Sequence, residues 1–183
     1  MQKTSFVRKS FIKLLPPALG YMVMGNLLAT IMSISLAPFS TETAIMGLAV
    51  LFAMAIYLLL VAVPAYKNGM DENKNIESGS DLKIPKYRWV VIGLIEWGIM
   101  LIPSLVFLSV GYSIGVYRII LGAIQPLSLF LVNENGVMLS YSPYVFMGFY
   151  ALTVPACHIG FILGAGDKLN KDRIMYKGGE KDG

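Results

Sequence analysis

The chain alternates between long apolar runs and short polar segments. A helix that crosses a bilayer needs about 20 mostly apolar residues, because the hydrocarbon core is roughly 30 Å thick and each helical residue rises about 1.5 Å. Runs of about that length cover residues 14–37, 43–66, 89–110, 114–132 and 144–165. The pattern therefore predicts an all-α, polytopic membrane protein that forms a single membrane domain over residues 1–183.

The basic residues predict which segments lie inside the cell. They are concentrated before the first run, between the second and third runs, and after the last run. Because Lys and Arg of short loops are retained on the cytoplasmic side, we expect two cytoplasmic termini and a cytoplasmic loop at 67–88. This loop has no periodic apolar face, so we expect it to be solvated, as we do the cytoplasmic tail at 166–183.

Two cytoplasmic termini require an even number of crossings, so one apolar run should not span the membrane. The run 114–132 is the weakest candidate. It contains Arg118 and Gln125, and Pro126 removes a backbone donor near its middle. The sequence therefore predicts four transmembrane helices, at 14–37, 43–66, 89–110 and 144–165. The alternative is five transmembrane helices with an exported tail.

The residues between the third and fourth predicted helices should form a cap on the outer side of the bundle. Within this cap, residues 111–143, the pair Asn135-Gly136 separates two apolar stretches and is typical of a hairpin turn. We expect a re-entrant or interfacial segment followed by a short hairpin. Irregular backbone at membrane depth must be covered by protein or water, so the cap should pack on the helices.

Composition and charge agree with a membrane location. Hydrophobic residues make up 56% of the chain and charged residues 14%, with a mean hydropathy of +0.65. The net charge of +4 comes from the cytoplasmic segments, where we expect contacts with the lipid bilayer and its anionic head groups and not with nucleic acid. Short loops and basic inner segments favour a bacterial cytoplasmic membrane. The single cysteine, Cys157, lies in the last predicted helix and is expected to pack there.

Each predicted helix carries one larger polar side chain at a similar depth. Measured from the cytoplasmic end of each helix, Glu96 and His158 lie roughly 12 Å deep, Tyr57 roughly 13 Å and Asn26 roughly 16 Å. An ionised carboxylate at that depth costs several kcal/mol without a partner, so Glu96 should face the interior. His158 is the sole histidine and could share a proton with Glu96 if their helices face each other. All four residues are therefore possible proton-binding or ligand-binding groups.

The alternative interpretation of these polar side chains is structural. Polar groups between membrane helices commonly hydrogen-bond across the interface and hold the bundle together, at about 0.6 kcal/mol per contact. Small residues recur at fourth positions and should allow close helix packing, either within the bundle or against a partner subunit. They are Gly25, Ala29 and Ser33 on the first helix, Ala49 and Ala53 on the second, and Ala156, Gly160 and Gly164 on the last. Arg118 could anchor the cap at the outer head groups or contact an anion.

No enzyme signature occurs in the sequence. It has no H-E-x-x-H or G-x-S-x-G motif, no phosphate-binding glycine loop and no spaced cluster of metal ligands, so we expect no enzyme activity, cofactor or metal. One hypothesis is a non-enzymatic subunit of a membrane complex, which binds another membrane protein or a second copy of itself. The other is a small transporter or proton-linked carrier that uses the Glu96/His158 pair.

Overall fold

The prediction of an all-α fold is confirmed. The computed structural model describes residues 2–36, 43–77, 87–110, 122–131 and 139–176. Three long helices come first: α1 (Gln2–Leu36), α2 (Thr43–Glu77) and α3 (Arg88–Val110). A single-turn helix follows, α4 (Gln125–Ser128), with a 3-10 turn on either side at Gly122–Ile124 and Leu129–Leu131. The last described elements are α5 (Ser142–Ala151) and α6 (Thr153–Tyr176).

Three helical stretches are long and apolar enough to cross a membrane. They cover Phe11–Leu36, Ile45–Asn73 and Ser142–Gly166, the last being α5 and α6 taken together. The outward surface of these helices is apolar: Leu51, Leu59 and Leu163 are 67%, 68% and 60% exposed. Polar side chains such as those of Asn26 and Glu96 are buried instead. A bundle surrounded by lipid requires this distribution, because lipid solvates apolar side chains and not polar ones.

The contacts between α1 and α2 show that these helices are antiparallel. Gly25 lies against Tyr57, and the Lys67 ammonium donates a hydrogen bond of 3.1 Å to the Tyr21 hydroxyl. Gly25 therefore allows the two helices to approach closely at this contact. The other ridge members on these helices, Ala29, Ser33, Ala49 and Ala53, are also buried within the chain.

Helix α6 runs parallel to α2 and packs closely against it. A Cβ added at Gly160 would lie 2.7 Å from the Ala62 carbonyl oxygen, and one at Gly164 would overlap the Tyr66 carbonyl. Only glycine fits at such contacts. Because α1 is antiparallel to α2 and α6 is parallel to it, the start of α1 and the end of α6 lie at the same end of the bundle.

The first half of the predicted solvated loop 67–88, residues 67–77, belongs to helix α2 instead, and residues 78–86 lie outside the described residues. Helix α2 continues to Glu77, and its extension packs on the start of α3. There Arg88 Nη1 lies 3.3 Å from Glu72 Oε1 in a buried ion pair, and Trp89 Nε1 donates a hydrogen bond of 2.9 Å to Asn68 Oδ1. These partners are distant in sequence, so periodicity within the loop could not reveal them. The predicted tail is likewise helical as far as Tyr176.

The described part of the predicted cap packs on the bundle. Its residues 122–131 contact α1 and α2, and Ala123 is fully buried. The Leu139 amide donates a hydrogen bond of 2.8 Å to the Leu131 carbonyl, which joins the chain on either side of residues 132–138. The predicted Asn-Gly turn and Arg118 lie outside the described residues.

Candidate functional site: a buried polar layer

Asn26 is the junction of four elements. Its Oδ1 accepts hydrogen bonds from the Tyr150 hydroxyl of α5 at 2.9 Å and from the Ala123 amide of the cap at 3.4 Å. Its Nδ2 donates to the Met22 carbonyl at 3.4 Å and lies 3.8 Å from Met100 Sδ on α3. Both ends of the Asn26 amide are therefore engaged. Ala123 is not in a regular α-helix, so Asn26 supplies the partner that its buried backbone amide needs.

Tyr57 joins this junction through its ring and its hydroxyl. The ring packs edge to face against Tyr150, with centroids 5.4 Å apart and an interplanar angle of 84°. The hydroxyls of Tyr57 and Thr153 lie within hydrogen-bonding distance, at 3.3 Å. We call the four residues Asn26, Tyr57, Tyr150 and Thr153 the Asn26 network.

A break between α5 and α6 positions Tyr150 and Thr153. The helix is interrupted at Leu152, whose amide donates to the Phe149 carbonyl at 3.1 Å in a tighter turn. Pro155 accounts for the break, because it has no N–H to donate to the carbonyl of residue 151 and its ring crowds that carbonyl. The two network residues, Tyr150 and Thr153, thus lie on either side of an interruption in the last apolar helical stretch.

Glu96 forms a second polar site on α3, and its carboxyl group is less well satisfied. The side chain is fully buried. Its Oε2 accepts a hydrogen bond of 3.3 Å from the Cys157 thiol of α6, whereas Oε1 has no hydrogen-bond partner. A thiol is a weak donor, so the ionised carboxylate would be poorly solvated here and the protonated acid is the better tolerated form.

Gly93 allows α3 to pack closely enough against α6 for Glu96 to contact Cys157. A Cβ added at Gly93 would lie 2.9 Å from Val154 Cα and 3.4 Å from Cys157 Cβ. The glycine thus lies against the first turn of α6, just after the helix break, and Glu96 lies nearly one turn further along α3. We call Gly93, Glu96 and Cys157 the Glu96 site.

The structure does not join Glu96 to His158, the partner that depth alone suggested. His158 is half-buried, its Nδ1 has no hydrogen-bond partner, and no described contact links it to Glu96. The reason is helix rotation. Adjacent residues on a helix point about 100° apart, and Cys157 occupies the direction that faces α3.

Sequence reasoning missed three residues of the polar layer, Tyr150, Thr153 and Cys157. Their spacing of three and four residues places them on one face of a helix, which was the available signal. This signal is weak, because a buried cysteine commonly only packs and because Tyr150 and Thr153 are polar groups of a kind common in membrane helices.

The described residues contain no group of three His, Cys, Asp or Glu side chains that could hold a metal ion. Comparisons of the chain with family models, with curated proteins and with solved structures give no significant match.

Proposed function

We propose that the chain is an integral membrane protein with four transmembrane helices, in which α3 is the third crossing. Helix α3 is 23 residues long, and Glu96 is its one charged residue beyond Arg88 at the first position. At a rise of about 1.5 Å per residue it is long enough to cross the hydrocarbon core. The common end of the bundle at which α1 starts and α6 ends supports two termini on the same side, and the basic residues favour the cytoplasmic side.

Within this framework, we propose that the protein is a small proton-linked carrier in which Glu96 binds the coupled proton. The observation that carries the proposal is the unpartnered Oε1 of a fully buried carboxyl group. A polar residue that only holds helices together should have its hydrogen bonds satisfied, as Asn26 does. Glu96 has one weak bond, so holding helices together is a poor explanation for a carboxyl group at this position.

The chemistry of the site indicates how such a carrier would work. Protonated Glu96 is neutral and can remain in the apolar interior. When it loses the proton, the charge must reach water or a compensating cation, because burying it costs several kcal/mol. The break at Leu152 lies five residues before Cys157 and divides the last apolar stretch into two shorter helices, and transporters use interrupted helices around their binding sites. Movement of either piece would change the access of Glu96 to water.

The second candidate is a non-enzymatic subunit that binds another membrane protein or a second copy of this chain. The broad apolar surface supports it, since Ile31 and Ile34 of α1 are each 59% exposed and could face a partner helix as well as lipid. Gly160 and Gly164 already pack against α2. A partner would therefore dock on larger apolar side chains and not on that pair.

The test is proton uptake into lipid vesicles that contain the purified chain and a trapped pH indicator. We expect Glu96→Gln to lower the uptake rate driven by a pH gradient at least tenfold, because the amide cannot release a proton. The matched control is Asp71→Asn, which makes the same change at an exposed position of α2 and should leave the rate unchanged. Equal rates for the Glu96→Gln variant and the unsubstituted chain would refute the carrier. Co-purification of a second protein in fixed ratio from the native membrane would then favour the subunit.

A further inference from the structure

Cys157 is the single described donor to the buried carboxyl group. Both residues are fully buried, and the thiol lies 3.3 Å from Glu96 Oε2. This cysteine cannot form a disulfide within the chain, which has no other cysteine. The hydrogen bond that the structure describes for its thiol goes to Glu96.

The other ionisable groups near Glu96 have hydrogen-bond partners elsewhere or make no described contact with its carboxyl group. On α2, Tyr57 pairs its hydroxyl with Thr153, and on α5 the Tyr150 hydroxyl donates to Asn26. On α6, His158 follows Cys157 but makes no described contact with the carboxyl group. The layer residues that α1 and the cap contribute, Asn26 and Ala123, do not ionise. Among the described groups, Cys157 is thus the one in direct contact with the acid.

We infer that Cys157 is a positioning residue that determines which Glu96 oxygen takes the proton and at what pH the proton is released. Its hydrogen bond occupies Oε2, so the unpartnered Oε1 is the oxygen that binds and releases the proton. A donor to a carboxylate favours the ionised form, so the thiol makes proton release easier than it would be in a wholly apolar site. This inference rests on the proposed proton-binding role of Glu96.

The test uses a hydrophobic carbodiimide, which reacts with protonated carboxyl groups inside membranes. The acid gives its proton to one carbodiimide nitrogen while its oxygen bonds to the central carbon, and the adduct rearranges to a stable N-acylurea. Labelling of the full-length chain in membranes is measured across a pH series by mass spectrometry of the peptide that contains Glu96. The pH at which labelling is half complete reports the protonation of Glu96 without requiring transport.

We expect Cys157→Ala to raise this midpoint by about half to one pH unit, the effect of losing a weak hydrogen bond to a charged group. Cys157→Ser supplies a stronger donor and should lower the midpoint, and it keeps the experiment decisive if the alanine variant does not fold. Ile159→Ala, a change on the lipid-facing side of α6, should leave the midpoint where it is.

Equal midpoints for the unsubstituted chain and both Cys157 variants would overturn the inference, as would the absence of labelling at every pH. The labelling measurement tests the role of Cys157, and the uptake measurement tests the carrier, so either proposal can be refuted without the other. Shifted midpoints together with normal uptake by Glu96→Gln would support the role of Cys157 and overturn the carrier. Unshifted midpoints together with abolished uptake by Glu96→Gln would support the carrier and overturn the role of Cys157.

Discussion

The Asn26 network and the Glu96 site lie in the same bundle but are held together differently. In the network, polar groups meet other polar groups: the Asn26 amide has partners at both ends, and the Tyr57 and Thr153 hydroxyls pair. In the Glu96 site, one carboxyl oxygen meets a thiol and the other meets no partner. Glu96 is instead held in place by packing, since Gly93 places α3 directly against α6.

This difference indicates that the buried polar residues have two roles, although they look alike in the sequence: the Asn26 network is structural, and the Glu96 site is suited to bind a proton. A satisfied network stabilises the bundle, and its removal should weaken the fold. A buried carboxyl group with an open oxygen adds little to stability, so its presence is better explained by proton binding. The comparison can be tested by changing the packing, the network and the carboxyl group in turn.

The largest effect on stability should come from the packing of the Glu96 site. We expect Gly93→Ala to lower the free energy of unfolding by about 2 kcal/mol, because the added methyl group meets backbone atoms of Val154 that cannot rotate away. The measurement is reversible unfolding in mixed detergent micelles. Gly98→Ala is the matched control on the same helix, where an added Cβ meets nothing within 4 Å. An equal loss in both variants would show that the close approach at Gly93 does not hold α3 in place.

A smaller loss should follow from breaking the Asn26 network. Asn26→Leu removes the acceptor for the Tyr150 hydroxyl and the Ala123 amide, and we expect the free energy of unfolding to fall by about 1.5 kcal/mol. The control is Ser35→Leu, an exposed position on the same helix whose hydroxyl bonds to the backbone of its own helix. If the Asn26 variant is as stable as the unsubstituted chain, the Asn26 network does not stabilise the bundle and does not differ from the Glu96 site in this respect.

The smallest effect should come from the carboxyl group itself. Glu96→Gln keeps the size of the side chain and an acceptor for the Cys157 thiol, so the free energy of unfolding should change by less than about 0.5 kcal/mol. The same unfolding measurement checks it. A loss as large as that of Asn26→Leu would make Glu96 a structural residue and contradict the comparison.

Much of the fold was predictable because the relevant physics is local. The apolar runs at 14–37, 43–66 and 144–165 each overlap a helical stretch that is long and apolar enough to cross a membrane. A stretch of about 20 apolar residues can cross the hydrocarbon core as a helix, because a helix satisfies its own backbone hydrogen bonds. Hydropathy therefore identifies such a stretch without information about the other helices. The same counting predicts that Asn26 and Tyr57 lie in one layer, and the structure describes both as buried members of one network.

The parts that could not be predicted depend on which helix faces which. The helical extension of α2 is buried at the ion pair between Glu72 and Arg88, so the loop composition gave a misleading signal. The break at Leu152 divides a run that hydropathy treats as continuous. In both cases a contact or a kink overrides the average character of the segment.

The sequence by itself determined that Glu96 lies on an apolar helix and should be buried, since both follow from the residues of one run. Only the tertiary structure decided its neighbour. Cys157 and His158 differ in depth by about 1.5 Å, which is too little for hydropathy to distinguish them as partners of Glu96. Their side chains differ in direction by about 100°. The rotation of α6 is fixed by Gly160 and Gly164 against α2 and by the close approach of Gly93 on α3. That packing brings the thiol to the carboxyl group and leaves the imidazole aside.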